Sequence, residues 1–527
     1  MSGQDRPLIF AGTGRKNIRV GIKGNQNSST ALSTAELKVE LRAYNEVVEL
    51  APDILSTIQL PVPGIAPGTT SDIEVLLPLP NPGLYEGTVT LLSKGGDRLA
   101  QQKITLASVP PRTEVGPSDF GVCTHFAPEK TEREPGMMPV VMNLVKLAGF
   151  SRIRDEMYWG NIERVAGQFE FPTRIDAYVE TAGKLGLSPL VALNYSNARV
   201  HPEAFGAKRD FPSTPAAAEL YARYVAECVK RYGHTVKQWE IWNEPHAFGK
   251  ATPDEYARLL IAASDAIRKA DPAAQVIGGG GGGAGGGPGG DYVLNIIRHG
   301  GLEHMDGFSI HPYMAPHSPD RGYPARTSPI AGKRVSIPTV WPHLQSIIDR
   351  NRKADGTPLS LWVTEIGWYS ATSLPFLKGE AMQAAWLART YLLSRRHRTA
   401  QAVFWYDFRN DGFSETNREH NFGLITQDYQ PKPAYVAAAV LTWTLGERPW
   451  AEAIAESDTV KAFRYGDGDD ALRVGWAVSD PEVLFIKPEP GTWILRNWQG
   501  RDKEITISST GYEWKLNRLP SYLFRKT

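Results

Sequence analysis

Apolar and polar positions alternate in short runs from the start of the chain to about Thr113, as in "AELKVELRAY" and "GLYEGTVTLL". A period of two marks half-buried strands, and the "SKGGDR" after the second run carries the glycines of a hairpin turn. Residues 1–113 therefore read as an N-terminal β-sandwich. At "GPSDFGVCTHF" the pattern changes, and short apolar runs begin to alternate with stretches of helical spacing, the mark of parallel βα units. Eight such runs can be read: "DFGVCTHF", "SRIRDE", "SPLVALNY", "KQWEIWNE", "AQVIGG", "DGFSIHPY", "SLWVTEIG" and "AVFWYDF", each followed by a helical pattern. The fourth helix is the best marked. In "ATPDEYARLL" Thr252 can cap, Pro253 suits the first helical position and Glu255 can close a capping box. Eight units over residues 114–445 predict a (β/α)₈ TIM barrel with extended loops, with a doubly wound open sheet as the alternative. Alternation returns after Leu445 in "ALRVGWAV", "EVLFIK" and "TWILRNW", separated by "DGDD", "PEPG" and "QGRD" turns. Residues 446–527 thus read as a small C-terminal β domain, and the expected fold class is α/β, a barrel flanked by two β regions.

One stretch interrupts the pattern. "VIGGGGGGAGGGPGGDYV", Val276–Val293, is compatible at first sight with a domain linker, a phosphate-binding loop or part of one enzyme. Val276 and Ile277 end the fifth strand and Asp291 is placed to cap the next helix, so a linker does not belong there. No Lys-Ser or Lys-Thr follows to complete a phosphate loop. The run reads as the fifth βα loop, on the catalytic face, and mobile.

Composition narrows the functional classes. With 42% hydrophobic and 22% charged residues the chain is ordinary for a folded protein, and its 527 residues exceed one core. Lys+Arg 58 against Asp+Glu 57 gives a net charge of +1, so neither nucleic acid nor an anionic membrane is an expected partner. No apolar run approaches the length of a membrane span. The start "MSGQDRPLIF" lacks the order of a signal peptide; a secreted or periplasmic location is expected if a leader was removed, a cytoplasmic one if this is the native start. Cys123 and Cys228 are the only cysteines and read as buried thiols, without disulfide or metal-site spacing. Aromatic residues reach 10%, with 14 Trp, a supply suited to stacking on sugar faces although most will be core.

In a barrel of this kind the site lies at the C-terminal ends of the strands. The fourth run ends in Asn243 and Glu244, the seventh in Glu365. Strand alternation would send Asn243 and Glu244 to opposite faces, but Pro245 cannot continue the ladder, so the strand must break and both can reach the mouth. Two carboxylates facing each other across a cleft suit glycoside hydrolysis, one protonating the leaving oxygen and the other attacking the anomeric carbon. Either glutamate alone would more often be a solvated strand end; together, flanked by aromatics, they favour catalysis.

These residues resemble those of clan A glycoside hydrolases, most of all family 39 with its bacterial exopolysaccharide-degrading members. The likeness runs from about 114 to 445 and is carried by "IRDEMYWGNIE", "WEIWNEPH", "GFSIHPY", "TEIGW", "FWYDFRNDG" and "EHNFGL". It implies Glu244 as acid/base, Glu365 as nucleophile and Asn243 as a donor to the sugar 2-hydroxyl. It also implies Arg154 as the group that holds the nucleophile ionised, the alternative being an arginine paired with Asp155 or Glu156. At the end of the sixth run, a Tyr313 hydroxyl can bond the nucleophile and His311 can contact sugar. His125 and Asn194 end the first and third runs where sugar hydroxyls would be met, with plain packing as the alternative. Trp405 is the candidate floor under the reacting sugar; Trp368, Trp159 and Tyr406 are further stacking candidates, and Asp407 and Glu419 are reserve carboxylates. The remaining histidines show no ligand spacing, so no catalytic metal and no cofactor are expected.

The expected activity is retaining hydrolysis of β-type glycosidic bonds in a poly- or oligosaccharide, with carboxyl groups about 5 to 5.5 Å apart. The alternatives are a catalytically weak glycan-binding barrel and a transglycosylase using the same residues. Arg321, Arg326, Lys333 and Arg334 in the long loop after the sixth strand, with Lys208 and Arg209, permit an acidic glycan or form a solvated face. The sugar, exo or endo action and the oligomeric state are not specified by these patterns.

Overall fold

A computed structural model of the protein describes residues 7–27, 29–46, 53–128, 136–281, 290–325, 332–370 and 379–526. The chain divides into two compact units: Met1–Thr113 with Tyr369–Ala388 and Arg409–Thr527, and Glu114–Trp368 with Arg389–Phe408.

In the first unit, the N-terminal strands Ile9–Ala11, Arg98–Val109, Gly83–Ser93, Ala35–Ala43 and Ile54–Val62 form one sheet in that order, and Gly14–Lys23 pairs with Thr70–Leu79 in another. Their apolar faces share one core, with Ile18, Val20, Val75 and Leu77 of the pair packed with Leu37, Val39, Val89 and Leu106 of the larger sheet. This is the sandwich that the period-two pattern predicts, including the hairpin across "SKGGDR" between Gly83–Ser93 and Arg98–Val109. The C-terminal β region is a six-stranded antiparallel sheet, from Trp450–Glu456 to Ser521–Arg525, with the additional pair Glu482–Ile486 and Tyr512–Leu516. It is stitched to the N-terminal sandwich: Leu84 N–H donates to Gln499 Oε1 at 3.2 Å, and Arg501 Nε to Pro82 O at 3.2 Å.

The second unit contains a closed parallel barrel of eight strands. These are β1 (Phe120–Cys123), β2 (Arg152–Tyr158), β3 (Ser188–Asn194), β4 (Gln238–Ile241), β5 (Gln275–Gly281), β6 (Gly307–Ile310), β7 (Ser360–Ile366) and β8 (Ala400–Trp405). β8 pairs with β1, so the sheet has no edge and the open-sheet alternative is excluded. Cys123, Leu190, Ile277, Trp362, Ala402 and Phe404 fill the interior. The fit is tight, since a Cβ added at Gly121 would meet the Phe404 ring at 2.6 Å. Helix Pro253–Ala270 starts as read from sequence: Thr252 caps it, and Thr252 N–H donates to Glu255 Oε2 at 2.9 Å in a capping box.

The glycine run behaves differently from its sequence reading. β5 does not end at Ile277 but continues to Gly281, with Gly278 opposite Phe308 and Gly281 opposite Ile310 across an irregular register. Gly279 adopts φ +107° with the Ser309 backbone 3.0 Å from where a Cβ would sit, so a side chain there would be both strained and crowded. Helix Gly290–Arg298 takes Asp291 into its first turn rather than as its cap. Residues 282–289, and with them the expectation of loop mobility, lie outside the described residues. Cys123 and Cys228 are both buried. Among the described residues no helix is long and apolar enough to cross a membrane.

Candidate active site

β4 ends at Ile241, and the backbone then departs from the strand in a way that alternation alone does not anticipate. Trp242 and Glu244 take left-handed φ values of 68° and 44°, a conformation costing about 1–3 kcal/mol per residue outside glycine. Pro245 follows, and the Glu244 carbonyl accepts from Ala247 and Phe248 N–H at 2.9 and 3.0 Å, closing a turn. The break brings Asn243 and Glu244 to the same mouth, where their partners are shared with β2, β6 and β7.

Glu365, 8% exposed on β7, accepts from Arg154 Nη1 at Oε1 and from the Tyr313 hydroxyl at Oε2, both at 2.8 Å. Glu244 Oε1 lies 2.9 Å from His311 Nδ1, and that nitrogen is 3.5 Å from Glu365 Oε2. One oxygen of each glutamate and one ring nitrogen of His311 fall within 4.8 Å of each other. As a cation site this trio is crowded by the Arg154 guanidinium already seated on Glu365. Arg154 also donates from Nη2 to Asn243 Oδ1 at 2.8 Å, and Asn243 Nδ2 donates to the Tyr195 hydroxyl at 3.1 Å. Its alternative partner Asp155 faces elsewhere, accepting from Thr124 Oγ1 at 2.9 Å and Phe126 N–H at 2.7 Å.

Three members of this network escaped the sequence reading, Tyr195 among them. Arg154 Nε donates at 2.6 Å to Glu240, a carboxylate with 0% exposure in the middle of β4. Thr364 Oγ1 donates to Glu240 Oε1 at 2.9 Å and lies 2.9 Å from His311 Nε2. The signal for Glu240 was its phase: "WEIW" places a charge between two buried tryptophans on a strand whose neighbours are apolar. For Thr364 no such signal exists, because adjacent Thr364 and Glu365 both reach the interior only through the irregular register of β7 against β8 between Val363 and Ile366.

The network sets the histidine's state. The single Thr364 hydroxyl hydrogen is given to an acceptor-only carboxylate, so Thr364 must accept from His311 Nε2–H. His311 Nδ1 then either takes a proton from Glu244 or shares one with it. Burial alone would lower the His311 pKa, but Glu365 and Glu244 outweigh it and the value is raised. Burial likewise pushes Glu244 upward, and the facing His311 outweighs it, holding Glu244 below the usual carboxylate value. The pair therefore retains a proton beyond the range of a free imidazole, with Glu244 as the group open to the cleft.

The other candidates spread out. His125 Nδ1 sits 3.2 Å from Asp407 Oδ2 and its ring meets Tyr406 edge-on at 5.7 Å. Asn194 is 0% exposed, and neither atom of its side-chain amide has a hydrogen-bond partner among the described residues. Trp405 stacks on Trp368 at 5.7 Å, and both are fully buried, so neither offers a face for stacking in this state. Trp159 is also enclosed, stacked on Tyr224 at 5.8 Å with its indole N–H given to Glu163, and is a core residue. Glu419 is exposed and pairs with its neighbour Arg418. Of the basic residues, Lys208 is engaged by Glu255 and Lys250 O, and Arg334 by the carbonyls of Arg321 and Gly322. Arg326 lies outside the described residues.

The family model described as "Glycosyl hydrolases family 39" matches residues 153–479. A family 39 glycoside hydrolase from the gut symbiont Bacteroides cellulosilyticus WH2 is 34% identical, with 98% of this chain and 99% of that one covered at a TM-score of 0.84. A monomeric β-xylosidase from Caulobacter crescentus CB15 is 18% identical over 78% of this chain and 96% of that one, with a TM-score of 0.52, a likeness of fold. No curated protein matches the sequence.

Proposed function

The chain belongs to glycoside hydrolase family 39, and on that premise we propose that it cleaves β-type glycosidic bonds of an oligo- or polysaccharide by double displacement with retention. Glycoside hydrolysis is the activity of the family; the linkage type and the roles of individual residues are our reading. Glu365 attacks the anomeric carbon while Glu244 gives its proton to the departing oxygen. In the second step Glu244 takes a proton from water, which attacks the same carbon and releases Glu365. Asn243, fixed by Arg154 and Tyr195, retains an amide hydrogen for the sugar 2-hydroxyl.

The observation that carries this reading is the short separation, with carboxylate oxygens of Glu244 and Glu365 within 4.8 Å. Retaining enzymes hold their two carboxyl groups about 5–5.5 Å apart, whereas inverting enzymes need about 6.5–9.5 Å to fit a water. The supports on each glutamate also differ in kind. Glu365 receives a guanidinium and a phenol, as suits a nucleophile, and Glu244 faces a histidine with which it can exchange a proton.

The test is intact mass after incubation with a 2-fluoro β-glycoside, followed by peptide mapping. A covalent sugar on Glu365 is the expected result. Sugar binding without adduct or turnover would instead indicate a glycan-binding barrel, and an inverted product would remove the double displacement. Transglycosylation uses the same residues, and the products formed with an added acceptor sugar separate it from hydrolysis.

A further inference from the structure

Glu156 is a carboxylate that the reaction above leaves unused. It follows Arg154 by two residues on β2, so it leaves the strand on the same face, one step closer to the mouth. It is 8% exposed. The Tyr158 hydroxyl donates to its Oε2 at 2.9 Å, and among the described residues its other oxygen has no hydrogen-bond partner. Burial raises its pKa, with Arg154 and His125 opposing and Glu365 adding to the rise, so those three groups are its electrostatic neighbours. Tyr158 packs 5.3 Å from Tyr195, the residue that holds Asn243. Glu156 therefore lies on the face of β2 that carries Arg154 and is linked to Asn243 through Tyr158 and Tyr195.

A carboxyl oxygen accepts a hydrogen bond, and a sugar hydroxyl is a donor that suits it. The surrounding charges decide which sugars can come. Glu156, Glu240, Glu365 and Asp407 are all nine-tenths or more buried, and Glu244 lies among them. Arg154 answers three groups at once, with Nε on Glu240, Nη1 on Glu365 and Nη2 on Asn243, and His125 answers Asp407. Among the described residues Arg154 and His125 are thus already engaged, so a carboxylate brought in by the substrate would meet Glu156 and Glu365 with neither of these two cations released to it.

We propose that Glu156 binds a hydroxyl of the glycosyl group transferred to Glu365, and that this subsite takes a neutral sugar and rejects a uronate. The proposal deepens the retaining-glycosidase reading and rests on it. An acidic glycan remains compatible only where its uronates fall outside this subsite.

The experiment measures kcat/KM of the intact protein with 4-nitrophenyl β-glycosides of neutral sugars, each paired with its uronate. The preferred neutral glycoside is expected to exceed its uronate by about a hundredfold or more. Glu156→Gln keeps the shape and an acceptor for Tyr158, so it should fold. It is expected to cost the neutral substrate about tenfold to a hundredfold, with KM rising, and to narrow the neutral-to-uronate ratio. Single-deoxy versions of the preferred sugar identify the hydroxyl: the one whose loss costs wild type most should cost Glu156→Gln little more. A uronate preferred by wild type, or a Glu156→Gln variant with unchanged KM and ratio, overturns the proposal. Calorimetric titration with neutral sugar lactams and their uronate counterparts reads the same subsite without turnover. Discrimination between lactams in a protein that forms no Glu365 adduct keeps the subsite and removes the mechanism; adduct formation without discrimination does the reverse.

Discussion

At the scale of single residues, the site is a set of proton and charge assignments. Glu365→Gln removes the attacking oxygen and should lower kcat/KM by about 10⁴-fold or more, with no sugar adduct by mass. Glu244→Gln should cost about 10²- to 10⁴-fold on an unactivated glycan, and much less in the first step for an aryl glycoside whose leaving group needs no proton. Full activity of Glu244→Gln on an unactivated glycan would show that another group is the acid. The shared proton has a pH consequence. Because the His311 pKa is raised, the proton of the Glu244–His311 pair is present below that value and lost as pH rises through it. The alkaline limb of kcat/KM should therefore lie above about 6.5, the ordinary imidazole value. In His311→Gln only the carboxyl remains to hold the proton, so the limb should move toward acid; an unmoved limb would separate His311 from the acid.

At the scale of elements, irregularities rather than ideal strands put the groups in place. The left-handed Trp242 and Glu244 and the register slip in β7 each let two neighbouring residues serve one cleft. Regular elements supply the stability that keeps such strain. The capping box at Thr252 anchors the helix that follows the Glu244 loop, and Thr252→Ala should destabilise by about 1 kcal/mol, read as a lower midpoint in thermal or denaturant unfolding. Gly121→Ala would press a methyl group into the Phe404 ring and should cost about 1–3 kcal/mol, more than the same change at exposed Gly186 beyond the steric effect of its φ.

At the scale of the whole molecule, the N-terminal and C-terminal β regions meet in one unit. Tyr44 lies edge-on to Trp498 at 6.1 Å, and Gln499 and Arg501 bind the backbone of residues 82–84. We propose an organisation of 1–113, 114–445 and 446–527 in which the outer regions stabilise each other. Removing residues 1–113 should lower the unfolding midpoint of the C-terminal β region and raise its Trp exposure to quenchers; an unchanged midpoint would mean the contacts contribute nothing measurable.

The sequence by itself determined the architecture and the two catalytic candidates, because both rest on local physics. Hydrophobic period distinguishes sandwich from βα unit, the Thr-Pro-Asp-Glu start marks a helix, and Pro245 after Asn243 and Glu244 forces a strand to break where a carboxylate is wanted. Only the tertiary structure decided which groups meet. Glu240 and Thr364 lie 124 positions apart and become partners because barrel closure brings β4 and β7 to one interior. Arg154 could be read as paired with Asp155 or Glu156, yet the strand face turns Asp155 away and directs the guanidinium to Glu240, Glu365 and Asn243. The glycine run shows the same division: its place between strand and helix was legible, while its extension of β5 to Gly281 depended on pairing with β6, a contact that composition does not encode.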